Sequence, residues 1–218
     1  MPYILNIESA TDICSIAISQ DDEVLALQET QGNHAAQMTV MIEHCLKEAK
    51  LQMRDLSAVA ISNGPGSYTS LRVGASVAKG ICYALDIPMI AVDTLESLAL
   101  AAFTALHDMD ALYCPMIDAR RMEVYMAMYA ANAVRNFPNN ALSRDYREGV
   151  ILEESMKSLI IEAESFDGYF KKNKRIVFCG NGAEKCKTIF KNDKSIFFDN
   201  ICSSKNMIAL SKTYYDKR

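Results

Sequence analysis

Two acidic residues end strand-like segments and are the first candidates for chemistry. Glu8 ends the segment Tyr3–Glu8, and Asp118 ends the segment Leu112–Asp118. Each is followed by a short turn and a second strand-like segment. Paired carboxylates at strand ends can hold a divalent cation with the phosphates of a nucleotide. The alternative is two solvated acids, and both interpretations stay open because the sequence does not fix the separation of the two carboxylates.

A glycine turn, NGPG at residues 63–66, precedes a predicted helix. The N-terminus of a helix presents free N–H groups that can bind an anion. Gly64, Gly66 and Ser67 are therefore candidates for a nucleotide or anion site. The segment lacks the lysine of a P-loop and the spacing of a dinucleotide-binding motif. A tight turn, with Ser67 or Thr69 capping the helix, is the favoured interpretation.

The histidine, serine and cysteine residues do not have the spacing of a known catalytic or metal-binding motif. No histidine pair has the spacing of a zinc protease, and no serine lies in a nucleophile elbow. The cysteines form no Cys-x-x-Cys pair and most lie in apolar segments, which predicts reduced, buried thiols. These residues are His34, His44 and His107, and Cys14, Cys45, Cys82, Cys114, Cys179, Cys186 and Cys202.

Basic residues cluster late in the chain, in the run Lys171–Arg175 and at four further lysines. The cluster could contact a phosphate backbone, but a solvated surface with lysines at helix ends is the favoured interpretation. The formal net charge is −4, so the molecule as a whole does not attract nucleic acid. The four further lysines are Lys185, Lys187, Lys191 and Lys194.

The chain shows no signal for a membrane or for export. No apolar segment approaches the roughly 20 residues that a membrane span needs. The first residues, Met1 to Asn6, lack the basic leader of a secretory signal. We therefore expect a cytoplasmic protein without membrane attachment.

The elements that position these residues begin with a lobe over residues 1–106. Alternation and turn residues predict three antiparallel strands, then helix, strand, helix, strand and helix. This is the order of a ribonuclease-H-like lobe, in which helices cover the faces of a sheet. The predicted segments are Tyr3–Glu8, Cys14–Ile18, Val24–Glu29, His34–Lys50, Ala58–Ser62, a helix after the glycine turn, Met89–Val92, and a helix capped by Asp93 or Thr94 and running to Ala105.

A second lobe over residues 107–218 repeats the opening of the first, which predicts an internal duplication. Residues 132–155 give the least clear pattern, with a turn over Phe137–Asn140 and exposed residues over Asp145–Glu148. The helix Lys205–Tyr215 is expected to pack back on the first lobe. The other predicted segments are strands at Leu112–Asp118, Glu123–Tyr129, Leu159–Ile161, Arg175–Cys179 and Ser195–Phe198, a short helix capped by Ser165, a turn at Gly180–Gly182, and a helix at Ala183–Phe190.

Two neighbouring helices of the first lobe carry residues suited to docking. The helix after the glycine turn is rich in small residues, which allow another helix to approach closely. The preceding helix carries Met38 and Met41, whose flexible apolar side chains adapt to a binding surface. A docking face and a role confined to the core remain alternatives. The small residues are Gly74, Ala75, Ala78, Gly80 and Ala84.

The chain resembles the TsaB (YeaZ) family, and NGPGSYTSLRVG at residues 63–74 is the most specific segment of the resemblance. The opening ILNIESATDICSIAI, the helix start NHAAQM at residues 33–38 and the hairpin IDARRMEVY at residues 117–125 also match, as does the turn GNGA at residues 180–183. The resemblance covers most of the chain and fades beyond Asp199. It implies an α/β, actin-like ATPase (ASKHA, ribonuclease-H-like) fold with two lobes of mixed sheet flanked by helices.

The resemblance also implies that the chain does not catalyse the reaction of its catalytic relative, TsaD. That relative carries H-[LM]-E-G-H on the helix where this chain has Thr94 to Leu98. Thr94 and Leu98 replace the two metal-binding histidines; leucine offers no lone pair and a threonine hydroxyl is a poor ligand for iron or zinc. The family implies no required cofactor and no metal here, and leaves binding of ATP or Mg²⁺ open.

The implied role is that of a partner subunit. Such chains pair with TsaD through the first two helices, and the ATPase TsaE joins at the junction. The complex transfers threonylcarbamoyl from threonylcarbamoyl-AMP to the adenosine beside the anticodon, in tRNAs that read codons beginning with A. In isolation the same face could form a homodimer, and tRNA is met mainly through the complex. The implied partner-binding residues are His34, Gln37, Met38, Met41, Leu71, Gly74, Ala75, Ala78 and Cys82.

Two rival functions remain. One is an enzyme, either a glycoprotease-type metallopeptidase or a small actin-like ATPase. The other is a tRNA-binding module that works through the surface from Lys171 to Lys194.

Overall fold

The computed structural model describes residues 1–32, 34–132 and 149–218. The chain forms two compact units. The first unit is Met1–Ser97 with Ile201–Arg218, and the second unit is Leu98–Asn200. The division therefore falls inside a helix, earlier than the boundary at 106/107 that the sequence suggests. The C-terminal segment belongs to the first unit, as the prediction for Lys205–Tyr215 requires.

The first unit contains a five-stranded sheet in the order β3-β2-β1-β4-β5. β1, β2 and β3 are antiparallel, whereas β1, β4 and β5 are parallel. The predicted order of elements is confirmed, and three predicted strands match to the residue. The elements are β1 (Tyr3–Glu8), β2 (Ile13–Gln20), β3 (Glu23–Gln31), α1 (His34–Glu48), β4 (Ala58–Ser62), α2 (Tyr68–Leu85), β5 (Met89–Val92), the start of α3 (Thr94–Leu106) and, at the C-terminus, α5 (Ser204–Asp216).

The core of the first unit lies between the sheet and the pair α1 and α2. Leu5 and Ile7 of β1 and Ile16 of β2 point into it and are fully buried. Met38 is also fully buried and Met41 is 7% exposed. The methionine stripe is therefore part of the core, because both side chains face the sheet rather than solvent.

The C-terminal helix α5 packs on the first sheet and is held at its N-terminus by polar contacts. The Ser204 amide donates to the Ser15 hydroxyl at 2.9 Å. The Ser203 hydroxyl donates to the Glu29 carboxylate at 2.6 Å. Ser15, Ser203 and Ser204 are fully or nearly fully buried, so these bonds satisfy polar groups that would otherwise be costly to bury.

The second unit contains a five-stranded sheet in the order β10-β9-β6-β7-β8. Read from β8, this is the strand order of the first sheet, with an antiparallel meander followed by two parallel strands. The predicted duplication is thus confirmed at the level of topology. The elements are β6 (Ala111–Asp118), β7 (Glu123–Asn132), β8 (Gly149–Ile160), α4 (Asp167–Lys171), β9 (Arg175–Cys179) and β10 (Ser195–Phe198).

Three sequence predictions for the second unit need correction. β8 runs over 12 residues, whereas only its last residues were predicted, because an exposed edge strand shows no apolar alternation. Ser165 does not cap α4; its hydroxyl accepts a bond from the Glu162 amide at 3.0 Å. The predicted helix Ala183–Phe190 is a single 3₁₀ turn at Glu184–Cys186. The turn at Phe137–Asn140 and the segment Asp145–Glu148 lie outside the described residues.

Candidate functional site

The carboxylate of Glu8, at the end of β1, is enclosed by the first unit. Only 1% of the residue surface is exposed. Its Oε1 atom accepts a hydrogen bond from the Ala10 amide at 2.7 Å, and the Ser62 hydroxyl and the Ser9 amide also donate to the carboxylate. Glu8 is therefore not a solvated acid, and it binds the loop that follows its own strand.

Burial decides the protonation of Glu8. It raises the pKa of the carboxyl from 4.5 to about 7, although the three hydrogen bonds lower it. The buried thiol of Cys14 has its pKa raised to about 11 by burial, with a further contribution from the charge of Glu8. Burial and these three hydrogen bonds from the protein favour a structural role for the Glu8 carboxylate.

The glycine turn between β4 and α2 packs against the loop that follows β1. The Ser67 amide donates to the Ala10 carbonyl at 2.7 Å, so this N–H group at the start of α2 is not free for an anion. A Cβ atom on Gly66 would lie 2.7 Å from the Ala10 Cβ atom, and one on Gly74 would lie 2.6 Å from the Ser9 hydroxyl. Both glycines are therefore required by close approach within the chain, which favours a packing role over a nucleotide site.

Ser67 occupies the N-cap position of α2, as predicted, but its side chain does not cap the helix. Its hydroxyl lies 3.0 Å from the hydroxyl of Ser70. Thr69 lies within the first turn of α2. The predicted side-chain cap by Ser67 is thus wrong, because its hydroxyl is directed to Ser70 Oγ rather than to a first-turn amide.

Asp118, in the second unit, is already paired with a cation of the protein. The Lys185 ammonium lies 2.6 Å from its Oδ1 atom, and the Arg120 amide donates to the same atom at 2.7 Å. Lys185 also donates to the carbonyls of Arg121 and Glu123. Lys185 thereby links Asp118 to the turn between β6 and β7, which favours a structural role for this carboxylate.

The two residues that the family resemblance compares with metal-binding histidines are buried. Thr94 and Leu98 are each 1% exposed. Asp93 caps α3, as predicted, with its Oδ1 atom accepting from the amides of Leu95 at 2.8 Å and Glu96 at 3.0 Å. Among residues 1–32, 34–132 and 149–218, no group of three or more His, Cys, Asp or Glu side chains is arranged to hold a metal ion.

The partner-binding residues suggested by the resemblance do not share one environment. Four of them are buried, three are partly exposed, and Gln37 is exposed, whereas the side chain of His34 lies outside the described part of the chain. The buried residues pack against the first sheet, so they support the shape of the helix pair rather than form its surface. The buried four are Met38, Met41, Gly74 and Ala78, and the partly exposed three are Leu71, Ala75 and Cys82.

The exposed face of α2 carries, besides Gly80, residues that the sequence reasoning missed. Tyr83 is 92% exposed and Tyr68 is 67% exposed, and the Arg72 guanidinium lies 4.1 Å above the Tyr68 ring. A Cβ atom on Gly80 would meet nothing within 4 Å. We call Tyr68, Arg72, Ser76, Gly80 and Tyr83 the α2 stripe. Its spacing of four, four, four and three residues is that of one helical face, and this spacing could have revealed it.

On α1, the helix next to α2, Val40 is an exposed apolar residue, with 48% of its surface accessible.

In the described ranges of the chain, no helix is long and apolar enough to cross a membrane.

A family model described as tRNA N6-adenosine threonylcarbamoyltransferase, TsaD, matches residues 26–214 of the chain. The chain is 32% identical to the tRNA threonylcarbamoyladenosine biosynthesis protein TsaB of Buchnera aphidicola subsp. Acyrthosiphon pisum, over 72% of this chain and 70% of the relative. It is 28% identical to the protein of the same name from Bacillus subtilis, over 82% of this chain and 70% of the relative.

The solved structure of YeaZ from Pseudomonas aeruginosa matches the whole chain and 93% of its own, with a TM-score of 0.77 and 22% identity. This match shows the fold. It confirms the predicted α/β fold with two mixed sheets flanked by helices.

We predict that the stability of the protein depends on pH through Glu8. Between its ordinary pKa of 4.5 and its folded pKa of about 7, the folded state binds more protons than the unfolded state. The free energy of unfolding therefore falls as pH rises through this range, by about 3 kcal/mol in total. Glu8→Gln cannot ionise and should lose this dependence. Urea denaturation at pH 5 and pH 8 measures it, with the exposed Glu164→Gln as control. Parallel pH profiles for the wild type and Glu8→Gln would contradict the prediction.

We predict that Gly66→Ala destabilises the first unit, because the new methyl group would overlap Ala10. Overpacking of this kind costs roughly 1–3 kcal/mol. Gly80→Ala is the matched control: its methyl group enters open space on a helix, and it should stabilise the protein by up to about 1 kcal/mol. Urea denaturation of the two variants measures both effects. Equal stability of the two would show that the close approach at Gly66 relaxes without cost.

Proposed function

This chain belongs to the TsaB (YeaZ) family, and we propose on that premise that it is a non-catalytic partner subunit in threonylcarbamoyladenosine formation. Its relatives are named for the biosynthesis of this modified tRNA nucleoside, and the chain takes part in the same process. The partner is the transferase TsaD, which the ATPase TsaE joins. The complex acts on the adenosine beside the anticodon in tRNAs that read codons beginning with A, and we expect it in the cytoplasm.

The observation that carries this proposal is the α2 stripe. Gly80 weakens a helix interior relative to alanine, and none of the residues that the structure describes fills the space above it. The glycine therefore has no packing role in the described part of the protein, unlike Gly66 and Gly74. A partner helix that approaches closely would use this space, and the exposed rings of Tyr68 and Tyr83 would cover its two sides, because aromatic residues dominate binding surfaces.

The family model that matches the chain supports TsaD as the partner. That model is the one of TsaD, so the chain and its proposed partner share a fold and can present related helices to each other. A pair of this kind is a pseudo-symmetric version of an isologous dimer. In the absence of TsaD, two copies of this chain would pair through the same α2 stripe.

The non-catalytic part of the proposal rests on side-chain chemistry. Leu98 cannot bind a metal and the Thr94 hydroxyl is a poor ligand for iron or zinc, and both are buried. The carboxylates of Glu8 and Asp118 are bound by groups of the protein itself. These four residues favour a partner subunit over a metallopeptidase or an ATPase.

We predict that Gly80→Arg abolishes TsaD binding while the fold is retained. The long side chain would fill the space into which the partner is proposed to pack, and its position is exposed, so the core is not disturbed. Co-purification with TsaD and isothermal calorimetry measure binding, with a loss of at least a hundredfold expected. Gly80→Ala should keep binding within about tenfold. A charged residue at Ala78, which is fully buried, would unfold the unit and is not a suitable test.

We predict that the purified chain alone neither transfers threonylcarbamoyl nor hydrolyses ATP. Incubation with threonylcarbamoyl-AMP and unmodified tRNA should give no modified nucleoside, and addition of TsaD and TsaE with ATP should restore it. Mass spectrometry of the digested tRNA measures the product. Turnover by the isolated chain, or a stoichiometric metal in it, would overturn the non-catalytic assignment.

A further inference from the structure

The basic residues of the second unit are divided between two ends of its sheet. Residues 167–194 contain eight Lys or Arg and three Asp or Glu. Lys185 and Lys187 follow β9, and each pairs with an acid, Asp118 and Glu184 respectively. The remaining basic residues precede β9 and β10. They therefore lie at the opposite end of these parallel strands, about 16 Å away for a strand of five residues.

Two loops meet at that second end. The Ile176 amide donates to the Lys194 carbonyl at 2.9 Å, and β9 pairs with β10 from Ile176 and Ser195 onward. The Lys194 ammonium donates to the Phe170 carbonyl at 3.1 Å. These bonds hold the loop at residues 171–175 beside the loop at residues 191–194. We call Lys171, Lys172, Lys174, Lys191 and Lys194 the lysine edge.

Most of the lysine edge is not neutralised by the protein. Lys171 lies 3.5 Å from Asp167, in a pair whose lysine side chain is 78% exposed and which is therefore weak. Lys172, Lys174 and Lys191 are exposed and make no ion pair among the described residues.

Four acids lie close to the lysine edge, and one of them is Asp167, the partner of Lys171. Arg175 pairs with Asp108 at 2.8 Å and lies 4.0 Å from Asp110, so one positive charge stands beside two negative ones. Asp193 is the remaining acid and lies in the loop at residues 191–194. The edge keeps an excess of positive charge on a molecule whose net charge is −4.

We propose that the lysine edge contacts the phosphate backbone of the tRNA on which the complex acts, an inference that rests on the proposed function. Exposed ammonium groups on loops bind phosphates as point charges and read no base sequence. A chain with net negative charge repels a polyanion as a whole, so the contact must be made through a local positive surface. At physiological ionic strength, charges at the other end of the strands are largely screened, because the Debye length is about 8 Å.

The test is tRNA binding by the complex of this chain with TsaD. The variant Lys172→Glu/Lys191→Glu reverses one charge in each loop, and Lys187→Glu/Lys205→Glu is the matched control with the same change in net charge elsewhere. The ligand is an unmodified transcript of a tRNA that reads codons beginning with A. We expect the first variant to bind roughly tenfold more weakly at 0.1 M salt and to lower the slope of log K against log salt by about one to two. Asp193→Asn should strengthen binding.

Each outcome decides the inference. Weaker binding and a smaller slope for Lys172→Glu/Lys191→Glu, with the control double variant unchanged, would support it. Unchanged binding by the first variant, or equal losses in both double variants, would overturn it while TsaD co-purification shows that the proposed function still holds. Failure of the wild-type chain to bind TsaD would overturn the proposed function, and this inference with it. Thermal unfolding of each variant confirms that the fold is retained.

Discussion

The close approach of the loop after β1 to the start of α2 is the contact on which the first unit depends. The Ala10 carbonyl accepts from the Ser67 amide and leaves no room for a Cβ atom on Gly66. The buried carboxylate of Glu8 also binds this loop, because it accepts a hydrogen bond from the Ala10 amide. The position of α2, and with it the α2 stripe, is therefore fixed by backbone contacts that only glycine allows.

The two units accommodate the acid at the end of their first strand in different ways. Each has an acid at the end of the first strand of its sheet, and an acid at that place must be desolvated, paired or exposed. Glu8 is buried among hydrogen-bond donors, and its pKa rises to about 7. Asp118 is paired with Lys185, which also binds the turn between β6 and β7. In both units the acid serves the local structure, although the repeated pattern of strand, acid and turn suggests shared chemistry.

Much of the fold could be predicted from local pattern. Tyr3–Glu8, Ala58–Ser62, Met89–Val92, Arg175–Cys179 and Ser195–Phe198 are strands with the predicted bounds, because turn residues mark the ends of apolar segments. The candidate site was harder to predict. Met38, Gly74 and Ala78 were assigned to a binding surface, yet they are buried. A small or flexible residue fits both a core and an interface, and only the direction of its side chain separates the two.

The sequence by itself determined the family and the order of the elements, since these depend on residue identity and local spacing. The tertiary structure alone decided which face of α2 is exposed, how Glu8 and Asp118 are bound, and which lysines remain unpaired. Each of these depends on groups far apart in the chain, such as Asp118 and Lys185. Burial and pairing are properties of the packed chain, and local sequence does not encode them.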